Sequence, residues 1–124
     1  MASHRETLRV LWVDTDAGGR IHFTAAFRWA EAVELGLYRK LGLVEYVPRL
    51  PRRHVEAEYH RVLVFDDEIE VTLEVAKVGT TSITYEWQIA RGGELAITGR
   101  HTVVHVDEDG QALPIDDALR TALS

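Results

Sequence analysis

The amino-acid sequence predicts an α+β fold in which a long antiparallel sheet wraps around one central helix. Two observations predict this fold: one helical segment is apolar over most of its circumference, and long segments with alternating apolar residues follow it. The chain has 124 residues, of which 46% are hydrophobic and 27% are charged. A chain of this length and composition is expected to form one domain over residues 1–124.

The first predicted element is a strand from Thr7 to Val13, which reads TLRVLWV. Its apolar residues occupy both alternating positions, as expected of a strand that is covered on two faces or paired at an interface. The segment DTDAGGR follows at 14–20. Its Asp, Thr and adjacent Gly residues indicate a turn.

The predicted helix runs from about Thr24 to Leu41. Apolar residues recur there at helical spacing: Phe23, Phe27, Ala30, Val33, Leu37 and Leu41. Further small or apolar residues widen this face: Ala26, Trp29, Ala32 and Gly36. The polar stripe is limited to Arg28, Glu31, Glu34, Arg39 and Lys40. We therefore expect an enclosed helix that ends at Gly42 and places Gly36 against the backbone of the sheet.

Four long strands are predicted after a Pro-containing connection at 43–53. Their alternating apolar residues run from Val55 to Phe65, Ile69 to Val75, Ile83 to Ile89 and Leu95 to Val106. The breaks at 66–67, 79–80 and 92–93 are short enough for hairpins, so the pattern predicts a meander. Alternating Glu residues in the second of these strands indicate that part of the outer face meets water. The tail is predicted to form a turn and one or two helical turns.

The composition disfavours several classes of protein. The absence of Cys excludes a disulfide framework, a thiolate zinc site and a cysteine nucleophile, and it fits a cytoplasmic protein. A net charge of −6 disfavours binding to duplex DNA. No apolar run approaches the roughly 18 residues needed to span a bilayer, and the first residues lack the apolar region of a signal peptide. We expect a cytoplasmic protein that binds neither nucleic acid nor membrane.

The histidines do not predict a metal site. His101 and His105 share one face of a predicted strand, but four strand residues span about 13 Å, which is too far for one ion. No glycine-rich phosphate loop of the P-loop or dinucleotide type is present. We therefore expect no metal and no resident cofactor.

The segment VLWVDTDAGGRIHFTAAFRWAEAVE at 10–34 carries a distinctive motif. It has an Asp-x-Asp pair, a Gly, an apolar and aromatic entry into the helix, and an Arg-Trp pair: Asp14, Asp16, Gly19, Ile21, Phe23, Arg28 and Trp29. This motif resembles that of the hotdog-fold acyl-CoA thioesterases, in particular the 4-hydroxybenzoyl-CoA thioesterase-like branch. Residues 81–115 are similar to the last two strands of these proteins, so the resemblance covers nearly the whole chain.

The resemblance implies a five-stranded antiparallel sheet around one helix. It also implies a homodimer whose sheets join edge to edge, often paired again into a homotetramer, with the active site at the dimer interface. In that site Asp16 would be the catalytic carboxylate, and the backbone N–H near Phe23 would polarise the thioester carbonyl. A helix N-terminus offers free N–H donors for this purpose. Asp16 can attack directly or activate water, and both roles stay open.

Other candidate site residues follow from their positions around this motif. Gly19 permits a tight loop, and His22 either faces the site or packs. Phe27 is the aromatic residue expected beside the acyl group, and Glu31 faces either the cleft or the solvent. Asp14 is expected to be structural, as a hydrogen-bond acceptor to the loop. Planar arginine donors suit the phosphates of coenzyme A, and the candidates are Arg52, Arg53, Arg61, Arg91 and Arg100.

The predicted function is hydrolysis of an acyl-CoA or acyl-carrier-protein thioester. One alternative is a hotdog hydratase or dehydratase, because Asp16 and His22 resemble the spacing of the Asp and His in that group. Another is a non-catalytic acyl-binding module of the same fold. The acyl group, its carrier and its pathway stay open at this point.

Overall fold

The computed structural model describes residues 1–124 and confirms the predicted fold class. Five antiparallel strands form one sheet in the order β1-β3-β4-β5-β2. The strands are β1 (Ser3–Arg9), β2 (Arg52–Tyr59), β3 (Glu68–Val78), β4 (Ser82–Arg91) and β5 (Glu94–Val104). The helices are α1 (Ala25–Leu41) and α2 (Asp117–Leu123), with short 3₁₀ helices at Trp12–Asp14 and Val44–Arg49. No helix is both long and apolar enough to cross a membrane.

Helix α1 is the central helix that the apolar pattern predicts. It ends at Leu41, and Gly42 takes the left-handed conformation, with φ of 73°, that glycine adopts readily. Ala26, Val33 and Leu37 are fully buried. Glu34, which the sequence places in the polar stripe, is buried, with a residue exposure of 4%. Partners from two distant strands satisfy its carboxylate there, as described below.

The first strand differs from the predicted segment Thr7–Val13. Strand β1 lies earlier in the chain, and the apolar residues after it form a 3₁₀ turn instead. In this turn the side chain of Asp14 accepts a hydrogen bond from the N–H of Leu11 at 2.8 Å, and the N–H of Asp14 donates to the carbonyl of Leu11 at 2.9 Å. Trp12 consequently lies on the surface with 73% exposure, with its ring 5.3 Å edge-on from that of Phe65.

The predicted four-strand meander is correct for only three strands. Strands β3, β4 and β5 pair in sequence, whereas β2 pairs with β5 at the far edge of the sheet. The predicted strand Val55–Phe65 stops at Tyr59, because His60 and Arg61 both donate to the carbonyl of Ala96 and end the regular ladder. Residues 60–67 then cross towards the start of α1, where the N–H of Ile21 donates to the carbonyl of Leu63 at 3.1 Å.

Gly36 lies on the buried face of α1, although its neighbours are not sheet backbone as expected. A side chain at this position would meet the carboxylate of Glu6 and the imidazole of His4. His4 and Glu6 lie on β1 and contact each other at 3.0 Å. The close approach of α1 to β1 is therefore filled by polar side chains of the strand.

Candidate active site

The loop that joins the 3₁₀ turn to α1 is organised around Asp14. This residue is buried, and its Oδ1 accepts from Arg28 at 2.8 Å while its Oδ2 accepts from the N–H of Leu11. Its carbonyl accepts from the N–H of His22 at 2.7 Å. Asp14 thus joins both ends of the loop to the helix, in agreement with its predicted structural role.

Asp16 lies at the tip of the same loop and is exposed. Its N–H donates to the carbonyl of Arg20 at 2.8 Å, and its own carbonyl accepts from Gly19 at 3.1 Å. Gly19 has φ of 79°, a conformation in which glycine is strongly favoured. Asp16 Oδ1 accepts from the N–H of Gly18 at 2.8 Å, and no hydrogen bond engages Oδ2. One carboxylate oxygen is therefore held by the turn while the other is free to meet a ligand.

Phe23 immediately precedes the N-cap residue of α1. Its backbone N–H donates to no acceptor in the protein, whereas its carbonyl accepts from the hydroxyl of Tyr59 on β2. Its ring stacks on His22 with a centroid distance of 4.6 Å. Phe23 therefore presents a free donor at the start of a helix, where the backbone carries partial positive charge.

Asp16 and Phe23 line the same cavity. This smaller cavity has a volume of about 330 Å³, and its apolar wall includes Ile21, Tyr59 and Leu63. A larger cavity of about 610 Å³ adjoins it and shares residues 60–63. Arg61 lines both cavities, and Arg91 lines only the larger one. Together they form an apolar compartment beside Asp16 and a more polar compartment beside two arginines.

The structure separates the predicted arginines into groups. Arg61 and Arg91 lie at the cavities, where they approach Glu94 at 2.9 Å and Asp67 at 3.4 Å respectively. Arg100 lies apart from both cavities and donates to Glu86 at 2.8 Å. Arg52 is engaged by a buried carboxylate of α1. Of the predicted arginines, only Arg61 and Arg91 line these cavities, and Arg20, which was not among the predicted residues, also lines the smaller one.

Four other candidates do not line either cavity. Gly19 forms the turn, and His22 Nδ1 contacts the hydroxyl of Thr24 at 2.7 Å. Phe27 is half-buried and meets the ring of Trp87 edge-on at 5.9 Å. Glu31 is exposed on α1, 3.7 Å from Arg52. The predicted contacts of these four residues with a substrate therefore stay predictions.

A buried polar network on α1 was not predicted. Glu34 accepts from Arg52 at 2.6 Å and pairs with His101 Nε2 at 2.9 Å. The indole N–H of Trp87 donates to His101 Nδ1 at 3.1 Å, which places the imidazole proton on Nε2. Burial raises the pKa of Glu34, but the hydrogen bonds from His101 and Arg52 and the positive charge of Arg52 outweigh it and hold the pKa below its ordinary value.

The sequence contained one signal for this network. His101 alternates with Val103, so it occupies an inward-facing position of β5, where an imidazole needs a polar partner. Nothing local identified that partner, because Glu34 is 67 residues away in the chain. The network lies apart from both cavities and joins α1, β2, β4 and β5.

Comparison with known families agrees with this arrangement. The sequence model of the thioesterase-like superfamily matches residues 10–123. The chain belongs to this superfamily. The match includes the Asp14–Phe23 loop, α1 and the four later strands, so the resemblance to hotdog-fold thioesterases is confirmed.

Individual relatives of this thioesterase-like chain are distant. It is 29% identical over 94 residues to a 1,4-dihydroxy-2-naphthoyl-CoA hydrolase of Prochlorococcus marinus (strain NATL2A), covering 65% of this chain and 61% of that protein. The chain thus spans less than two thirds of that relative's length. A predicted thioesterase from Bacillus stearothermophilus superposes with a TM-score of 0.87 at 25% identity, over 98% of this chain and 94% of that one.

A thioesterase from Thermus thermophilus, solved with coenzyme A and Zn, shares the same fold. It superposes with a TM-score of 0.89 at 20% identity, over 97% of this thioesterase-like chain and 90% of that one. The superposition thus extends over most of both chains.

Proposed function

We propose that this protein is an acyl-CoA thioesterase that uses Asp16 and the backbone N–H of Phe23. One observation carries the proposal: the same apolar cavity is lined by Asp16, which has a free carboxylate oxygen, and by Phe23, which has a free backbone N–H at the helix entry. Thioester hydrolysis needs an attacking oxygen and a donor for the charge that develops on the carbonyl oxygen. Membership of the thioesterase-like superfamily supports this assignment.

Two routes fit the carboxylate. In one, Asp16 attacks the thioester carbon, the C–S bond breaks, CoA leaves as thiolate, and water hydrolyses the resulting anhydride. In the other, Asp16 takes a proton from water, which attacks the same carbon. In both routes the N–H of Phe23 donates to the carbonyl oxygen as negative charge develops there. The products are the free acid and the thiol.

The two cavities support separate binding sites for the two parts of the substrate. We assign the acyl group to the smaller cavity, whose wall is largely apolar, and the CoA phosphates to Arg61 and Arg91 at the larger cavity. Arg100 is left out of this assignment because it lies apart from both cavities. The name of the Prochlorococcus relative supports an aromatic acyl group. We retain the expectation of a cytoplasmic, single-domain enzyme.

A panel assay tests the activity. Purified protein is mixed with acetyl-CoA, hexanoyl-CoA, benzoyl-CoA and 1,4-dihydroxy-2-naphthoyl-CoA, and thiol release is followed with a thiol-reactive dye. Thiol release that Asp16→Asn abolishes supports the proposal. Saturable binding without thiol release would make the protein an acyl-binding module. Hydration of crotonyl-CoA would make it a hydratase, which the structure disfavours because His22 does not line the cavity.

We also propose that the chain forms a homodimer through β2. This strand pairs with β5 on one side only, and its Val55 is 47% exposed near the free edge. The unpaired N–H and C=O groups of an edge strand can pair with those of another chain. Two β2 strands would join the sheets edge to edge and bring the two copies of Tyr59 and its cavity near the interface. The resemblance also implies that two dimers pair into a homotetramer, and we keep this as part of the proposal.

Light scattering tests this assembly. The wild-type protein should have at least twice the chain mass of 14.0 kDa at micromolar concentration. Val55→Lys should shift the equilibrium towards monomer, because it replaces an exposed apolar side chain of the edge strand with a charged one. Thr7→Lys on β1, at the opposite edge of the sheet, is the matched control and should leave the mass unchanged. A stable wild-type monomer would overturn the proposal.

A further inference from the structure

The hydroxyl of Tyr59 joins the sheet to Phe23, a residue that lines the smaller cavity and has a free backbone N–H. Tyr59 is the last residue of β2 and pairs with Ile97 of β5, so its backbone belongs to the ladder. Its hydroxyl donates to the carbonyl of Phe23, and its side chain also lines the smaller cavity. Tyr59 is thus the one side chain that both lines this cavity and hydrogen-bonds the backbone at the helix entry.

The carbonyl of Phe23 depends on this single donor. Helix α1 does not use it, because the N–H of Phe27 bonds to the carbonyl of Thr24 at 3.2 Å instead. No other backbone or side-chain donor reaches it. Phe23 itself is 62% exposed, so packing restrains it little. Partial burial raises the pKa of Tyr59 above 10.0, which keeps the hydroxyl protonated as a donor at neutral pH.

We propose that Tyr59 is a positioning residue that holds Phe23 so that its N–H points at the substrate carbonyl oxygen. This inference rests on the proposed thioesterase function. A hydrogen-bond donor stabilises a developing oxyanion only when it is held at about 2.7–3.1 Å from it, and errors of about 1 Å can cost about 10²-fold in rate. Tyr59 acts through the backbone of Phe23 and needs no contact with the reacting atoms.

The test compares Tyr59→Phe with Tyr46→Phe. Each change removes one hydroxyl, and Tyr46 is the matched control because its hydroxyl donates to Asp116 at 2.7 Å, away from both cavities. Tyr59→Phe should lower kcat by about 10-fold to 100-fold on the best substrate of the panel, with KM changed less than about threefold. Tyr46→Phe should leave both constants unchanged. An unchanged kcat in Tyr59→Phe, or a fall in both variants, would overturn the inference.

A second measurement reads the bond without any substrate. Phe23–Thr24 is the only Phe-Thr pair in the sequence, so protein labelled with ¹³C-carbonyl Phe and ¹⁵N-Thr gives one carbonyl–amide NMR signal. His22–Phe23 is likewise the only His-Phe pair, so the matching labels report the Phe23 N–H. Both signals should move in Tyr59→Phe and stay fixed in Tyr46→Phe.

The two measurements separate the inference from the proposed function. If both signals respond to Tyr59→Phe but the wild type hydrolyses no thioester, the proposed function fails while the restraint on Phe23 stands. If the wild type is active and the Phe23 signals do not respond, Tyr59 does not position Phe23 and the inference fails.

Discussion

Two carboxylates near the central helix have opposite environments. Asp16 lies on an exposed loop, and its carboxylate accepts only one hydrogen bond, from the backbone N–H of Gly18. Glu34 is buried on α1 and is bound by Arg52 and His101, which come from two different strands. The loop carboxylate keeps a free oxygen beside a cavity, whereas every oxygen of the helix carboxylate is engaged.

This difference indicates that the two carboxylates have different roles, one in stability and one in chemistry. A buried carboxylate is tolerated only when charged and polar partners compensate for lost hydration, and such compensation leaves no oxygen for chemistry. An exposed carboxylate at a turn contributes little to stability but can meet a substrate. We therefore expect changes at Glu34 to alter stability and changes at Asp16 to alter rate.

The largest expected effect on stability is that of Glu34→Gln. The change keeps the shape of the side chain but leaves Arg52 and His101 without their carboxylate. Removal of one partner of a buried ion pair costs about 3–5 kcal/mol, and we expect about 3 kcal/mol because the Arg52 side chain keeps 31% exposure. Urea denaturation measures this loss. Glu31→Gln is the matched control on the same helix and should cost less than about 0.5 kcal/mol; equal losses would contradict the distinction.

Asp16→Asn should show the reverse pattern. The change removes the charge and most of the basicity, so kcat should fall by at least about 10²-fold, and by more if Asp16 is the nucleophile. The melting temperature should stay close to that of the wild type. Asp14→Asn, the buried neighbour, should instead lose about 1–3 kcal/mol of stability with a modest change in rate. A folded, dimeric Asp16→Asn protein with near wild-type turnover would disprove the carboxylate mechanism.

The contrast also explains which features the sequence could predict. The Asp14–Phe23 loop and the helix that follows are contiguous in the chain, so their local pattern and the family motif predicted both. The spacing of apolar residues predicted the helix, but the same spacing placed Glu34 in the polar stripe and did not predict that it is buried. Its burial depends on Arg52, which is 18 residues away, and on His101, which is 67 residues away. Periodicity reports which face a residue occupies but not which distant side chain meets it.

The prediction of the strand order failed for the same reason, because it depends on contacts between residues that are distant in the chain. Hairpins at 79–80 and 92–93 are local, and the sequence predicted them correctly. The pairing of β2 with β5 is nonlocal, and it arises because residues 60–67 cross to the helix entry instead of turning back. That crossing also brings Arg61 to the cavity that Tyr59 and Asp16 line. The sequence therefore predicted the loop with Asp16 at the candidate site, but not the residues at 59–63 that also line its cavity.

The stability that Glu34 contributes should depend on pH. Its folded pKa lies below its ordinary value near 4.5, so the unfolded chain binds the proton first as the pH falls. The contribution is complete above about pH 4.5 and is lost as the pH falls through the lower folded pKa. The difference in unfolding free energy between wild type and Glu34→Gln should therefore stay constant down to about pH 4.5 and narrow over the more acidic range below it. A constant difference over this range would show that Glu34 does not titrate differently in the two states.

The smallest expected effect is that of Gly36→Ala, which tests how α1 meets β1. The new methyl group would meet only the ends of the Glu6 and His4 side chains, which are partly exposed and can move outwards. Since alanine favours a helix over glycine by about 1 kcal/mol, we expect a change in stability within about 1 kcal/mol of zero. Gly99→Ala is the matched control, because its methyl group would overlap the buried indole of Trp87 and should cost about 1–3 kcal/mol. Thermal denaturation of both variants measures these changes in stability. If Gly36→Ala loses as much stability as Gly99→Ala, the side chains of Glu6 and His4 cannot move away from the helix, and α1 packs against β1 without free space at Gly36.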